Sequence, residues 1–247
     1  MSNARIPNHR PRLTAGSDRV QASSYGWTSS NWSGYALSGA KGAFRRVSAC
    51  WTVPFVRPSS SPSYSSAWIG IDGFNNSSLI QTGTGHDYVN GKAYYYAWWE
   101  ILPAAATLIR LPVHPGDRIQ AVIARISRSR WSIVLRNRTR NWTFRTIRRY
   151  NGPQSSAEWV VEAPQVGTSL SRLASLSPVP FSRCRVNGRN PRLTLGERGV
   201  MVRDNRVISI PTRPNGEGDA FVVKGTQTTH SPSYAYVGKP ILNPRPR

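Results

Sequence analysis

The chain has 247 residues and a formal net charge of +22, from 33 Lys plus Arg against 11 Asp plus Glu. An aromatic content of 10%, with 9 Trp, 10 Tyr, 20 Gly and 19 Pro, excludes a disordered or fibrous body and points to one globular domain with many turns. No stretch has the apolar length of a membrane span.

Taken in chain order, residues 1–27 are rich in Arg, Pro, Ser and Asn without periodicity, which reads as a disordered tail or the remnant of a pro-segment. They lack the apolar stretch of a secretory signal. From Asn31 onward, short runs of Val, Ile, Trp and Tyr recur between Gly, Pro, Asn and Ser clusters, the pattern of an all-β domain over residues 28–225. Residues 226–247 read as a C-terminal tail.

Within the domain, Trp68-Ile-Gly-Ile-Asp72 sends Trp68, Gly70 and Asp72 to one side and Ile69 and Ile71 to the other, because strand side chains alternate. Leu79-Ile-Gln-Thr-Gly83 opposes Gln81 to Ile80. In Tyr95-Tyr-Ala-Trp-Trp-Glu-Ile101, Tyr96, Trp98 and Glu100 oppose Ala97, Trp99 and Ile101. Further on, Ala157-Glu-Trp-Val-Val-Glu162 opposes Glu158, Val160 and Glu162 to Trp159 and Val161. Each strand thus has one apolar face and one face mixing acid, amide and aromatic groups. Such a face suits a partly dry groove in which a few polar groups fix a ligand. Glu158 and Glu162 are four strand positions apart, about 13 Å along the backbone, so a catalytic partner for Glu158 comes from another strand.

The run Arg125–Arg149 holds nine arginines, yet Trp131, Ile133 and Leu135 alternate before a turn at residues 137–141. That predicts a hairpin with a charged, solvated outer face. Apolar spacing at Leu170, Leu173, Ala174 and Leu176 predicts one short helix. Cys50 and Cys184 permit one bridge, which we favour, or two buried thiols. The four histidines, His9, His86, His114 and His230, show no metal-ligand spacing, and no Gly-x-Ser-x-Gly elbow is present. His86 reads as a loop residue, or as one bordering the groove.

The segments Trp68-Ile-Gly-Ile-Asp-Gly73, Leu79-Ile-Gln-Thr-Gly83, Tyr96-Ala-Trp-Trp-Glu100 with Pro103, and Ala157-Glu-Trp-Val-Val-Glu162 together resemble the eqolisins, the glutamic peptidases of family G1. Ser30-Asn-Trp-Ser-Gly-Tyr35 resembles that family's opening strand, and the similarity runs from about Asn31 to Lys224. Two extra residues between Gln81 and Asp87, Tyr96 in place of an acid, and the basic charge depart from the fungal members. The resemblance implies an antiparallel two-sheet β-sandwich of the concanavalin-like jelly-roll kind. It also implies a secreted, pepstatin-insensitive acid endopeptidase in which Gln81 and Glu158 form the catalytic dyad. Trp68, Asp72, Asp87, Trp98 and Glu100 would line or support its cleft. The expected partners are polypeptide substrates, met by a monomer needing neither cofactor, metal, membrane nor nucleic acid.

Two other functions are compatible with the same residues. A glycoside hydrolase or sugar-binding sandwich would use the tryptophans and pair Glu100 with Glu158. A polyanion-binding protein would act through its arginines alone.

Overall fold

The computed structural model describes residues 6–14 and 25–226. Its strands are β1 (Trp27–Ser29), β2 (Trp32–Ser38), β3 (Arg46–Thr52), β4 (Ser66–Ile71), β5 (Ile80–Val89) and β6 (Lys92–Ile101). They continue with β7 (Thr107–Ile109), β8 (Arg118–Arg125), β9 (Arg130–Asn137), β10 (Trp142–Arg149), β11 (Ser156–Glu162), β12 (Gln165–Val166) and β13 (Ser169–Leu170). The last four are β14 (Val179–Val186), β15 (Arg198–Arg203), β16 (Arg206–Pro211) and β17 (Phe221–Gly225).

Hydrogen bonding runs in the order β10-β9-β8-β3-β14-β17-β16-β15-β2-β11-β4-β5-β6-β7, with β1 added in parallel to β15 and a separate β12-β13 ribbon. All neighbours along that path are antiparallel. The path folds back on itself, so that β3, β8 and β9 lie against β4 and β5 as the second layer of a sandwich. Between the layers sits the main core, which includes Ile69, Ile71, Ile80, Ala97, Trp159 and Val161 with Trp51, Ile119, Ile133 and Phe181. These are the residues that period-two alternation assigned to the apolar side. A second cluster, Trp27, Trp32, Ala36, Trp68, Leu79, Trp98 and Val160, covers the opposite face of β2, β11, β4, β5 and β6.

The arginine-rich run forms the β9-β10 hairpin, and β10 is an end strand of the path. Its Arg145, Arg148 and Arg149 are exposed. Charge on an unpaired edge discourages another chain from adding there, a structural use for the arginines that involves no ligand.

Three sequence expectations are corrected. The segment around Leu170–Leu176 is not a helix: Leu173 bridges Tyr64 and Leu176 bridges Val56, so these apolar side chains are used by sheet-like contacts to the sandwich instead of one helical stripe. Among the described residues the only helical element is a single 3-10 turn at Leu195–Glu197, closed by a Thr194/Glu197 capping box. Cys50 and Cys184 lie on the adjacent strands β3 and β14 as free thiols, not bridged. His86 is neither a loop residue nor on the groove's border; it is buried in β5 on the core side, between the Ser65 and Thr84 hydroxyls. Burial drives its pKa down to about 3, so it is a neutral hydrogen-bonding core residue.

Candidate active site

Strand register brings the predicted site together. Ala36 on β2 faces Glu158 on β11, Glu158 faces Gly70 on β4, Gly70 faces Gln81 on β5, and Gln81 faces Glu100 on β6. Residues that face one another across a ladder point to the same side. Glu158 and Gln81 therefore flank Gly70 on one face, two strand spacings apart, with no side chain between them.

Glycine at position 70 is required by that arrangement. A Cβ there would stand 2.8 Å from Trp68 Cζ3, 3.0 Å from Leu79 Cδ1 and 3.4 Å from Glu158 Oε2. Gly70→Ala should therefore cost about 1–3 kcal/mol in chemical denaturation through overpacking, with a loss of activity from the displaced carboxyl. Unchanged stability together with unchanged turnover would show that the gap is not needed. The next row repeats the device: Trp68 and Trp98 flank Gly83.

The polar groups are fixed unequally. Gln81 Nε2 donates to Glu100 Oε2 at 2.7 Å, which sets the orientation of the amide, because a carboxylate only accepts. One N–H and the Oε1 of Gln81 are left over, and Oε1 has no protein partner although it is buried. Both oxygens of Glu158 are likewise buried without a protein partner. Burial pushes the Glu158 carboxyl well above the usual carboxylate range; the nearby Ser156 hydroxyl pulls the other way without reaching hydrogen-bonding geometry, and Asp72 adds to the rise. Unpartnered buried polar atoms are uncommon in folded proteins and call for a role.

The remaining predicted residues support this centre. Asp72, at φ 71°, is saturated by the loop before β11: it accepts from Tyr150 Oη at 2.5 Å and from the backbone N–H groups of Gln154 and Ser155 at 2.8 Å. It holds the approach to β11 in place and has little capacity left for a ligand. Trp68 donates from Nε1 to Glu162 Oε2 at 2.9 Å and packs edge-on against Trp32. Asp87 accepts from Tyr96 Oη at 3.0 Å, and burial raises its pKa to about 7 against the pull of that bond. Tyr96, where the family often has an acid, thus donates to an acid.

Two groups on this face went unrecognised in the sequence. Glu162 was placed on the face but given no role; its pKa is raised to about 7, by burial first, with His9, the Arg10 N–H and Trp68 favouring the anion and Glu100 opposing it. The other is His9, in the segment read as a tail. Its ring stacks on Trp98 with centroids 3.6 Å apart, its Nδ1 lies 3.3 Å from Glu100 Oε2, and its Nε2 is 3.1 Å from the Ser66 hydroxyl. Burial alone would lower the His9 pKa, but the acids Glu162, Glu100 and Asp87 outweigh it and the net shift is upward. No local pattern marks such a residue.

Glu100 and Glu158 are separated by both Gly70 and Gln81, three strand spacings or about 14 Å between backbones. Retaining glycosidases hold their two carboxyl groups about 5–5.5 Å apart. Gln81, incidental in the sugar-cleaving scheme, stands at the middle of the row.

Comparison with known proteins leads to the same place. A sequence model of the Peptidase A4 family matches residues 30–212. Aspergillopepsin-2 of Aspergillus niger is 28% identical over 245 residues, covering 86% of this chain and 85% of the relative. The structure of scytalido-glutamic peptidase with a transition-state analogue inhibitor superposes with a TM-score of 0.69 at 25% identity, over 80% of this chain and 98% of that one. SCP-B, an eqolisin solved in complex with the tripeptide Ala-Ile-His, shares the fold with a TM-score of 0.65 at 24% identity, again over 80% and 98% of the two chains. With the two-layer fold and the ordered motifs, these matches make the chain a glutamic endopeptidase that belongs to the Peptidase A4 family, the eqolisins.

Proposed function

We propose that Gln81 and Glu158 are the catalytic dyad of this acid-acting endopeptidase. The observation that carries the reading is the row Glu158–Gly70–Gln81, in which an unpartnered carboxyl and a half-used carboxamide face one gap.

Peptide hydrolysis needs an activated water, a donor for the oxyanion and a proton for the departing amine. Glu158, once ionised, takes the proton of a water attacking the scissile carbonyl and returns it to the amide nitrogen as the C–N bond breaks. The low-dielectric surroundings raise its proton affinity, which strengthens it as a base. The same surroundings keep it neutral in the closed structure, so it ionises only when the face is wetted. Gln81 donates its second N–H to the oxyanion and uses Oε1 to orient the water, while Glu100 holds the amide against rotation. Both members come from one chain, in keeping with a monomer. An acid-acting peptidase also fits work outside the cell, and among the described residues no helix is long and apolar enough to cross a membrane.

A Gln/Glu pair does not share one proton between two carboxylates, the state to which aspartic-peptidase inhibitors are fitted. Digestion of a denatured protein at acid pH should therefore proceed at an undiminished rate in pepstatin. Inhibition at stoichiometric pepstatin would indicate a carboxylate pair and overturn the dyad.

A further inference from the structure

Residues 6–14 form a strap across the face that carries the dyad. It is bound mainly through its backbone, to both sides of the row. On one side, Asn8 and Gln165 exchange both backbone hydrogen bonds, at 2.9 and 2.8 Å, and the Arg10 N–H donates to Glu162 Oε1 at 3.0 Å. On the other, the Arg12 N–H donates to the Gly73 carbonyl at 2.9 Å, the Leu13 N–H to Asn31 Oδ1 at 2.8 Å, and Asn31 Nδ2 to the Pro11 carbonyl at 3.1 Å. Between these, Trp32 Nε1 donates to the Arg10 carbonyl at 3.1 Å.

An extended segment held by its main chain, with one side chain inserted into a pocket, is the way a peptide is recognised by a protein that must accept many sequences. The inserted side chain here is His9. It is 1% exposed, lies flat on Trp98, and touches Glu100, the residue that orients Gln81. Gln81 and Glu158 are themselves fully buried. A substrate's peptide bond cannot reach either while this face is covered.

We propose that residues 6–14 are a tethered occupant of the substrate's place: anchored by His9, the strap holds the dyad closed and must leave before a polypeptide binds. The inference rests on the dyad reading above and adds to it the means by which the site is kept shut. A strap with this role has a second consequence, since the pocket that takes His9 is bounded by Trp98, Ser66, Glu100 and Glu162, an aromatic floor with acidic walls. The same pocket then accepts a flat, positively charged side chain of the substrate.

The test uses the full chain. Asn8 and Gln165 are directly opposed, and antiparallel partners of this kind have Cα atoms about 5.5 Å apart, within the span of a disulfide. Asn8→Cys with Gln165→Cys therefore gives a strap that oxidation locks and dithiothreitol releases; the parent chain with Cys50 and Cys184, treated identically, is the control. The oxidised form should cleave an internally quenched peptide at least about tenfold more slowly than the reduced form, as expected when the open state is suppressed tenfold. In a Glu158→Gln background, binding of a fluorescent peptide should weaken by a similar factor on oxidation. Equal cleavage and equal binding in the two redox states would overturn the proposal. Redox-dependent binding with no cleavage in either state would uphold the strap and overturn the dyad. His9→Ala should raise the initial rate of the full chain, and a synthetic peptide spanning Ile6–Thr14, added in trans, should reverse the gain; a folded His9→Ala protein with unchanged rate, insensitive to the peptide, would remove His9 as the anchor.

Discussion

Glu158→Gln and Gln81→Ala should each leave a folded protein that hardly cleaves a denatured substrate at acid pH. For Glu158 the expectation follows from its surroundings. The carboxyl is fully buried, without a protein partner, and driven toward its neutral form. A neutral amide of nearly the same shape should thus cost little stability, and melting should move by only a few degrees. What is lost is the capacity to take a proton, typically about 10² to 10⁴ in rate. Gln81→Ala removes the only amide on the row and frees Glu100 Oε2 from its 2.7 Å donor. Losing one oxyanion donor typically costs about 10² to 10³ in turnover, and the unpaired buried acceptor adds a stability loss of about 1–3 kcal/mol. Steady-state kinetics and circular dichroism on both variants decide the matter. Turnover within tenfold of the parent in either folded variant would take that residue out of the chemistry.

The second large effect concerns pH and stability. Glu162 and Asp87 are held at about 7, above their ordinary values of 4.5 and 3.8, chiefly by burial. A carboxyl whose folded pKa is raised binds its proton more tightly when folded, so its contribution is present at low pH and is lost as pH rises through about 7. His9, also raised, has the same sign: its contribution is complete below its unfolded value and is lost as pH rises past its folded one. Asp219, lowered by its hydrogen bond to Arg185, has the opposite sign, but it lies near the surface where solvent screens it. The coupled buried groups should prevail over the self-repulsion of a chain with net charge +22. At physiological ionic strength the melting temperature should be higher near pH 4 than near pH 8, by an amount equivalent to about 3 kcal/mol, or roughly 5–10 °C for a domain of this size. Calorimetry across that range checks it. A melting temperature that climbs steadily with pH would mean that these acids are ionised in the folded protein.

The two predictions share a cause. A row of acids and amides lies on an aromatic face that is dry when covered, and dryness both sets the proton affinity of Glu158 and makes the closed form favour low pH. Opening the strap wets the row, and only then does the base ionise.

How much of this was legible in the sequence can be judged residue by residue. Trp68, Asp72, Gln81, Trp98, Glu100, Glu158 and Glu162 were assigned to one face from alternation alone, and the structure has each of them opposite the core. That inference holds because the two-residue period belongs to the extended backbone and needs no knowledge of neighbouring strands. The β9-β10 hairpin was legible for the same reason, with its turn residues marking the reversal. Helical spacing at Leu170, Leu173, Ala174 and Leu176 misled, because an apolar side chain records that it will be buried and not which partner will bury it.

By itself, then, the sequence determined the all-β class, the side of the sheet on which the chemistry lies, and a family pattern naming Gln81 and Glu158. Only the tertiary structure decided that Gly70 stands between those two, that Glu100 orients one of them, that His86 is sealed in the core, and that His9 reaches across to Trp98. The division has a physical origin. Which way a side chain points is fixed by its own backbone, whereas register and long-range contact are fixed by the summed burial and hydrogen bonding of segments far apart in the chain.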